Sequence, residues 1–307
     1  MARTKTTANP PPASVNYKSQ YPWAFDELLA ETSTLTTLAD WRAHVGEPGV
    51  YKHGAFSKRH DAYISVRPCT PGEPVCVDDR SNNGEAFFFF YQTVFKRIGL
   101  RLPFSGFERE LLIEINVAPA QLHPNSWAFI KAFGILYGYF GQPPSVDIFL
   151  HFFEVKKQGK SLWVSFSGIA GRILLSLFQQ SYKGWRGKIF RVCCTDHDRT
   201  VLDGFPLYWV KKLKLTKPKT LDELPSTNRE VCLILANVGV LDTAEMIARE
   251  YDSTALTQYL SMGTTPHSSS LIPVSASVYL CSYVNCLFAL SFHSVVDYAS
   301  CFDIAGA

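Results

Sequence analysis

Residues 124–141 read PNSWAFIKAFGILYGYFG, from Pro124 to Gly141. Proline at a first helical position gives up an N–H that would have no partner there, and its ring presets the helical φ. Glycine after Phe140 can take the left-handed conformation that ends a helix. Between them Lys131 is the one charged residue, so the helix predicted over 125–140 is apolar on every side. Such a helix has no face to offer water and is expected at the centre of a domain.

Further helices are expected on both sides of it. From Phe104 to Asn116, Ser105 is placed as an N-cap and Glu108 three residues later completes a capping box. Residues 145–153 carry Val146, Phe149, Leu150 and Phe153, a fourth and shorter helix. Upstream, residues 85–98 space Phe87, Tyr91, Val94 and Ile98 at helical intervals, with Phe88 and Phe95 beside them, and predict the first helix of the block. Farther upstream, Leu35, Leu38, Trp41 and Val45 recur at helical spacing within residues 26–45. Residues 46–84 are rich in Gly, Pro, Asn and Asp and read as loop, with one short strand at 62–66.

Downstream the period changes. Residues 161–167 and 188–192 alternate apolar and polar side chains, as strands do. Asp242 followed by Glu245 predicts the start of a helix reaching Leu260. The expected fold is α+β, a mostly helical block followed by a small antiparallel sheet, with extra C-terminal helices. The expected units are a disordered arm (1–20), a helix-and-loop lead-in (21–84), a main domain (85–215), a helical extension (216–262) and an apolar tail (263–307).

Of 307 residues, 47% are hydrophobic and 14% aromatic, enough for a sizeable core. A wholly disordered chain, a collagen repeat, a coiled coil and a multi-span membrane protein are all excluded. Thirty Lys and Arg against 27 Asp and Glu leave +3, which argues against a uniform nucleic-acid-binding arm. Pro10, Pro11 and Pro12 favour an extended N-terminal arm. Its opening Ala2-Arg3-Thr4-Lys5 repeats the start of a core-histone tail, a match too short to carry weight. The tail differs in texture: no charge occurs from Ser253 to Val296, and Leu271–Val296 reads LIPVSASVYLCSYVNCLFALSFHSVV. A bilayer needs roughly 20 apolar residues. Pro273, Asn285 and His293 dilute this run, and no Lys or Arg follows it as an anchor. A membrane helix, a gene model running into non-coding sequence and a buried hairpin remain open, and a membrane is a partner only if the 271–296 segment is genuine.

No pattern fixes a reaction. Among eight cysteines there is no Cys-x-x-Cys, so neither a zinc ribbon nor a zinc knuckle has support. Cys193, Cys194 and His197 are close in sequence, but adjacent cysteines seldom chelate one ion, and no metal site is assigned. With no signal peptide at Met1, reduced thiols and a nuclear or cytoplasmic location are expected. Cys76-Val77-Asp78-Asp79 resembles the paired-carboxylate turn of metal-dependent polymerases but lacks its Tyr and a partner strand. Asp196-His197-Asp198 reads as a turn. No phosphate-binding loop occurs. No catalytic residue and no cofactor is therefore assigned.

Charge is the strongest physical signal. From Tyr182 to Lys219 there are ten basic residues against three acidic ones, a local +7. The candidate nucleic-acid-binding residues are Lys183, Arg186, Lys188, Arg191, Lys211, Lys212, Lys214, Lys217 and Lys219, interleaved with Trp185, Phe190, Tyr208 and Trp209. Basic side chains neutralise phosphates and aromatic faces stack bases. The lysines from 211 to 219 also resemble a weak nuclear-import patch. The bland alternative is aromatics in the core and charges on a solvated edge strand.

Several pieces in order resemble the plant domain family labelled transposase, gypsy type. They are Phe87–Tyr91, Gly99–Phe104, Phe107, Leu111, Leu112, the most specific piece Gln121-Leu-His-Pro-Asn-Ser-Trp127, Phe133 and Pro143–Phe149. Phe152, Phe153, Trp163–Phe166, Lys183-Gly-Trp185, Lys188, Phe190, Val192, Phe205-Pro206 and Trp209 complete the set. The resemblance covers roughly 80–215 and implies a retroelement-derived protein, often continued by a charged coiled-coil region that is missing from this chain. It brings no catalytic residues. Its matching positions are mostly aromatic, Pro and Gly, so Trp127, Phe133, Trp163, Trp185 and Trp209 are read as structural. Residues and resemblance together predict a non-enzymatic, Gag-like module that binds nucleic acid or assembles with copies of itself. The alternative is a transposase or integrase remnant acting on DNA with a divalent metal through carboxylates such as Asp78 or Asp196.

Overall fold

The computed structural model of the chain describes residues 16–37, 39–40, 64–78, 86–159, 162–178, 183–194 and 204–262. Two one-turn helices come first, α1 (Tyr17–Gln20) and α2 (Asp26–Leu29). Strands β1 (Ile64–Arg67) and β2 (Phe87–Tyr91) follow, then a π-helical turn at Val94–Ile98. Helices α3 (Gly106–Ile115), α4 (Pro124–Tyr139) and α5 (Val146–Phe152) form the middle. Strands β3 (Phe153–Lys157), β4 (Val164–Gly168) and β5 (Ile189–Cys194) come next. Helices α6 (Ser226–Ala236), α7 (Thr243–Ala248) and α8 (Ser253–Met262) complete the α+β order.

The helix α4 is the buried centre that its sequence predicts. Pro124 occupies its first turn, the His123 side chain accepts from the Asn125 N–H as N-cap, and Gly141 beyond the C-cap sits at φ +66°. Trp127, Phe133 and Leu136 are fully buried, and even Lys131 is 8% exposed. Its ammonium survives there because Gly99 O and Glu250 Oε1, each at 2.7 Å, accept its hydrogen bonds. The capping box of α3 is also present, with Ser105 and Glu108 each receiving the other's backbone N–H. Aromatic rings tie these helices together. Phe149 of α5 meets Phe133, Phe107, Phe153 and Phe166 with centroids 4.5–5.8 Å apart.

Two small antiparallel sheets flank the helices. One has the order β1-β5-β2, with Ser65 opposite Cys193 and Phe90 opposite Phe190. The other pairs β3 with β4. One buried apolar cluster runs from Ala24 to Leu260.

Four local expectations are corrected. Residues 87–91 form a strand, so Phe87, Tyr91, Val94 and Ile98 share no helical face. All five β2 side chains are buried, and a short run buried on both faces cannot be told from a helix by periodicity. The sheet therefore does not simply follow the helical block, because β1 and β2 precede α3, α4 and α5. Second, the helix predicted over 26–45 is interrupted: it stops at Leu29, and only Ala39 and Asp40 are helical again among the described residues beyond it. Thr32, Ser33, Thr34, Thr36 and Thr37 are poor helix formers, and residues 31–35 instead bond outward, with Thr34 N donating to Gly187 O and Cys69 N to Leu35 O. Trp41 and Val45 lie outside the described residues. Third, Phe153 leaves α5 and opens β3. Fourth, the helix expected from Asp242 to Leu260 breaks after Ala248 and restarts where Asp252 caps Ala255 N. Among the described residues no helix is long and apolar enough to cross a membrane. The 271–296 segment and residues 1–15 of the expected arm (1–20) lie outside the described residues, while the end of that arm forms α1, Tyr17–Gln20.

Candidate nucleic-acid interface

The basic segment divides into two described pieces, 183–194 and 204–219. Gly184, at φ +67°, turns the chain into a short 3₁₀ turn at Trp185–Gly187, and β5 follows directly. The second piece runs without regular structure from Gly204 to Lys219. Gln121 holds it. The Val210 N–H donates to Gln121 Oε1 at 3.0 Å, and Gln121 Nε2 donates to Val210 O and to Leu162 O, each at 3.0 Å. An irregular strip has no ladder of its own to satisfy its backbone. The buried amide of Gln121 supplies one rung.

The nine candidate cations fare differently. Arg191 is withdrawn: its Nε donates to Glu73 Oε2 at 3.1 Å, Nη2 reaches Oε1, and the guanidinium lies 4.5 Å from the centre of the Phe87 ring. The Glu73 side chain is 2% exposed, so this pair is internal. Arg186 pairs with Glu31 at 3.1 Å yet stays half exposed. Lys214 pairs with Glu114 at 3.0 Å, and Lys219 approaches Asp147 at 3.8 Å. Lys211 is exposed and lies 5.5 Å from the centre of the Trp23 ring. Among the described residues Lys183, Lys188, Lys212 and Lys217 make no ion pair; all but Lys188, which is half-buried, are exposed.

Behind these cations the tryptophans form a chain of ring contacts. Tyr91, Trp163 and Trp185 meet one another at 4.7–5.5 Å, and Trp163 meets Trp209 at 5.0 Å. Trp127, Phe133, Trp163 and Trp209 are buried, the core role predicted for them, whereas Trp185 is only partly covered. Among the described residues the buried Tyr91 hydroxyl and Trp209 Nε1 have no hydrogen-bond partner. Burial of Tyr91 raises its pKa well above the usual phenol value.

His123 packs edge-on to Trp185 at 5.3 Å. Burial, with Arg186 adding like charge, lowers its pKa to about 4, so the imidazole is neutral at pH 7. Burial also pushes the Glu31 carboxyl up, against the opposing pull of Arg186. The Glu31–Arg186 contact is thus a partly desolvated pair, with the guanidinium as its wetter end.

The other sequence candidates separate. Asp78 accepts from the Tyr21 hydroxyl at 2.8 Å and its own N–H donates back to that oxygen, next to buried Cys76 and Val77. Asp79, Asp196, His197, Asp198 and Arg199 lie outside the described residues. Among the described residues no group of three His, Cys, Asp or Glu side chains could hold a metal ion. Burial raises the thiols of Cys69, Cys76 and Cys232 to about 12, which makes them poor nucleophiles. Sequence reasoning passed over Trp23, Glu31 and the clamp role of Gln121. Only Gln121 left a local signal, one amide inside the apolar run Val117–Leu122.

Residues 89–157 match the family described as "Putative gypsy type transposon". That span starts within β2, takes in α3, Gln121, α4 and α5, and ends with β3, short of the basic segment. No curated protein and no solved structure matches the chain.

Proposed function

We propose that this chain, which carries a gypsy-type transposon domain at residues 89–157, is a non-enzymatic, retroelement-derived module that binds nucleic acid through phosphate contacts. The observation that carries the reading is the set of lysines left over once internal pairs are formed. Lys183, Lys188, Lys211, Lys212 and Lys217 make no ion pair within 4 Å among the described residues, although Glu223 attracts Lys217 at longer range, and an ammonium outside an ion pair binds phosphate without first breaking one. Each phosphate neutralised releases counterions, so affinity falls with salt by a log–log slope of about 0.9 per duplex contact.

The test is fluorescence anisotropy of the full chain with labelled oligonucleotides across a salt series. The expected result is a slope of several units that drops by about two to three in a Lys211→Ala, Lys212→Ala, Lys217→Ala variant. Binding of equal strength and slope in that variant would remove the assignment.

A second reading, self-assembly, is favoured by a different feature. Leu175 and Leu241 bridge in parallel, and beside them Leu177 and Val240 are 64% and 60% exposed. Neighbouring exposed aliphatic side chains mark association surfaces. Sedimentation velocity of wild type against Leu177→Glu tests it, and a monomer at every concentration would end it.

A further inference from the structure

Trp185 stands between three cations of its own segment. Its ring is held by edge-to-face contacts with Tyr91 at 4.7 Å, Trp163 at 5.0 Å and His123 at 5.3 Å. Its turn is pinned from the other side, where the Thr34 N–H and hydroxyl donate to Gly187 O at 2.7 and 2.8 Å. The Arg186 guanidinium lies 5.5 Å from the centre of the Trp185 ring and 5.6 Å from that of Trp163, within reach of Glu31 at 3.1 Å. Lys183 is exposed on one side of the turn and Lys188 half-buried on the other. The result is a fixed, partly exposed indole, covered by a guanidinium that is half in water, with further cations close by.

We infer that Trp185 is a stacking platform for an unpaired base of a single-stranded nucleic acid, with Arg186 exchanging Glu31 for the adjoining phosphate. The inference rests on the phosphate-binding reading and adds the kind of strand. A base inside a duplex has both faces occupied by its neighbours, whereas an unpaired base has a face free for indole. Guanidinium suits the second half of the task, because its planar fork binds carboxylate and phosphate by the same geometry. Glu31 therefore acts as an internal competitor that holds Arg186 over the platform when no strand is bound.

The experiment compares labelled oligothymidylate with a duplex of equal length, using the full chain and its Trp185→Leu and Glu31→Gln variants. The expected pattern has three parts. Oligothymidylate is retained at salt concentrations that strip the duplex. Trp185→Leu weakens oligothymidylate about tenfold and leaves the duplex unchanged. Glu31→Gln tightens oligothymidylate several-fold and steepens its salt slope by about one unit, because Arg186 then starts unpaired. Should Trp185→Leu fail to fold, Glu31→Gln decides alone. Salt-dependent binding with no strand preference and no effect of Glu31→Gln overturns the platform and leaves the phosphate reading standing. No binding to either probe at low salt removes both.

Discussion

Gln121 and Val210, 89 residues apart, exchange two hydrogen bonds of 3.0 Å each. The amide lies just ahead of the central helix α4 and the valine just ahead of Lys211. The span 89–157, which matches the gypsy-type family model, thus holds a basic strip that lies outside it.

Gln121→Ala removes that exchange and the bond to Leu162 O, leaving buried carbonyls and an N–H without partners. The expected cost is about 3 kcal/mol in urea unfolding. Gln121→Glu keeps the acceptor but loses both donated bonds and buries a charge, so it should be no better. A loss under about 1 kcal/mol in the alanine variant would mean that the strip is held by other contacts.

The Arg191–Glu73 pair is buried at Glu73 and mostly covered at Arg191, so either single truncation strands a charge. Arg191→Ala and Glu73→Ala should each cost about 3–5 kcal/mol. The double variant Arg191→Met, Glu73→Leu should recover most of that loss, because an apolar pair carries no desolvation penalty. The salt slope of nucleic-acid binding in the double variant should match wild type. A shallower slope would show Arg191 reaching phosphate after all.

Acid should unfold the protein early. An unfolded histidine takes a proton near pH 6.5, but folded His123 does so only near 4, and burial lowers His151 as well. Between those values the histidines of the unfolded chain hold more protons, so their share of the stability falls as pH drops from about 6.5 to 4. Glu31 and Glu108, whose raised carboxyl pKa values act the other way, partly offset this. The share from His123, which is not fully enclosed, is on the order of 2 kcal/mol. His123→Asn keeps an N-cap acceptor and should flatten the dependence, read as urea midpoints at three pH values. An unchanged profile would place the acid sensitivity elsewhere.

Lys131 joins α4 to Gly99 O and to Glu250 in the turn between α7 and α8. Glu250→Ala leaves the ammonium with one partner in a nearly closed site. The expected outcome is about 3 kcal/mol of lost stability and earlier proteolytic cleavage near residues 249–252. Lys131→Met, which removes the charge and keeps the chain length, should cost less. Equal losses would point to packing around the lysine stem rather than to its charge.

The parts legible in the sequence are those governed by neighbours within one helical turn. Ser105 with Glu108, Pro124 at the head of α4 and Gly141 behind it depend on residues at most four positions away, and all three form as read. The wholly apolar α4 could lie only in the core. The Phe87–Tyr91 run reads as helix for the same reason, because its extended form depends on β5, about a hundred residues later, which no local window contains.

The order of residues alone shows where the cations are concentrated, that tryptophans lie among them, and which helix forms the centre. Which cations remain available is a matter of packing. Glu73, Glu31, Glu114 and Asp147 come from distant parts of the chain to meet Arg191, Arg186, Lys214 and Lys219. Composition sums charges, whereas an ion pair depends on a distance of a few ångströms and on how much water lies between, and both of those are set by packing.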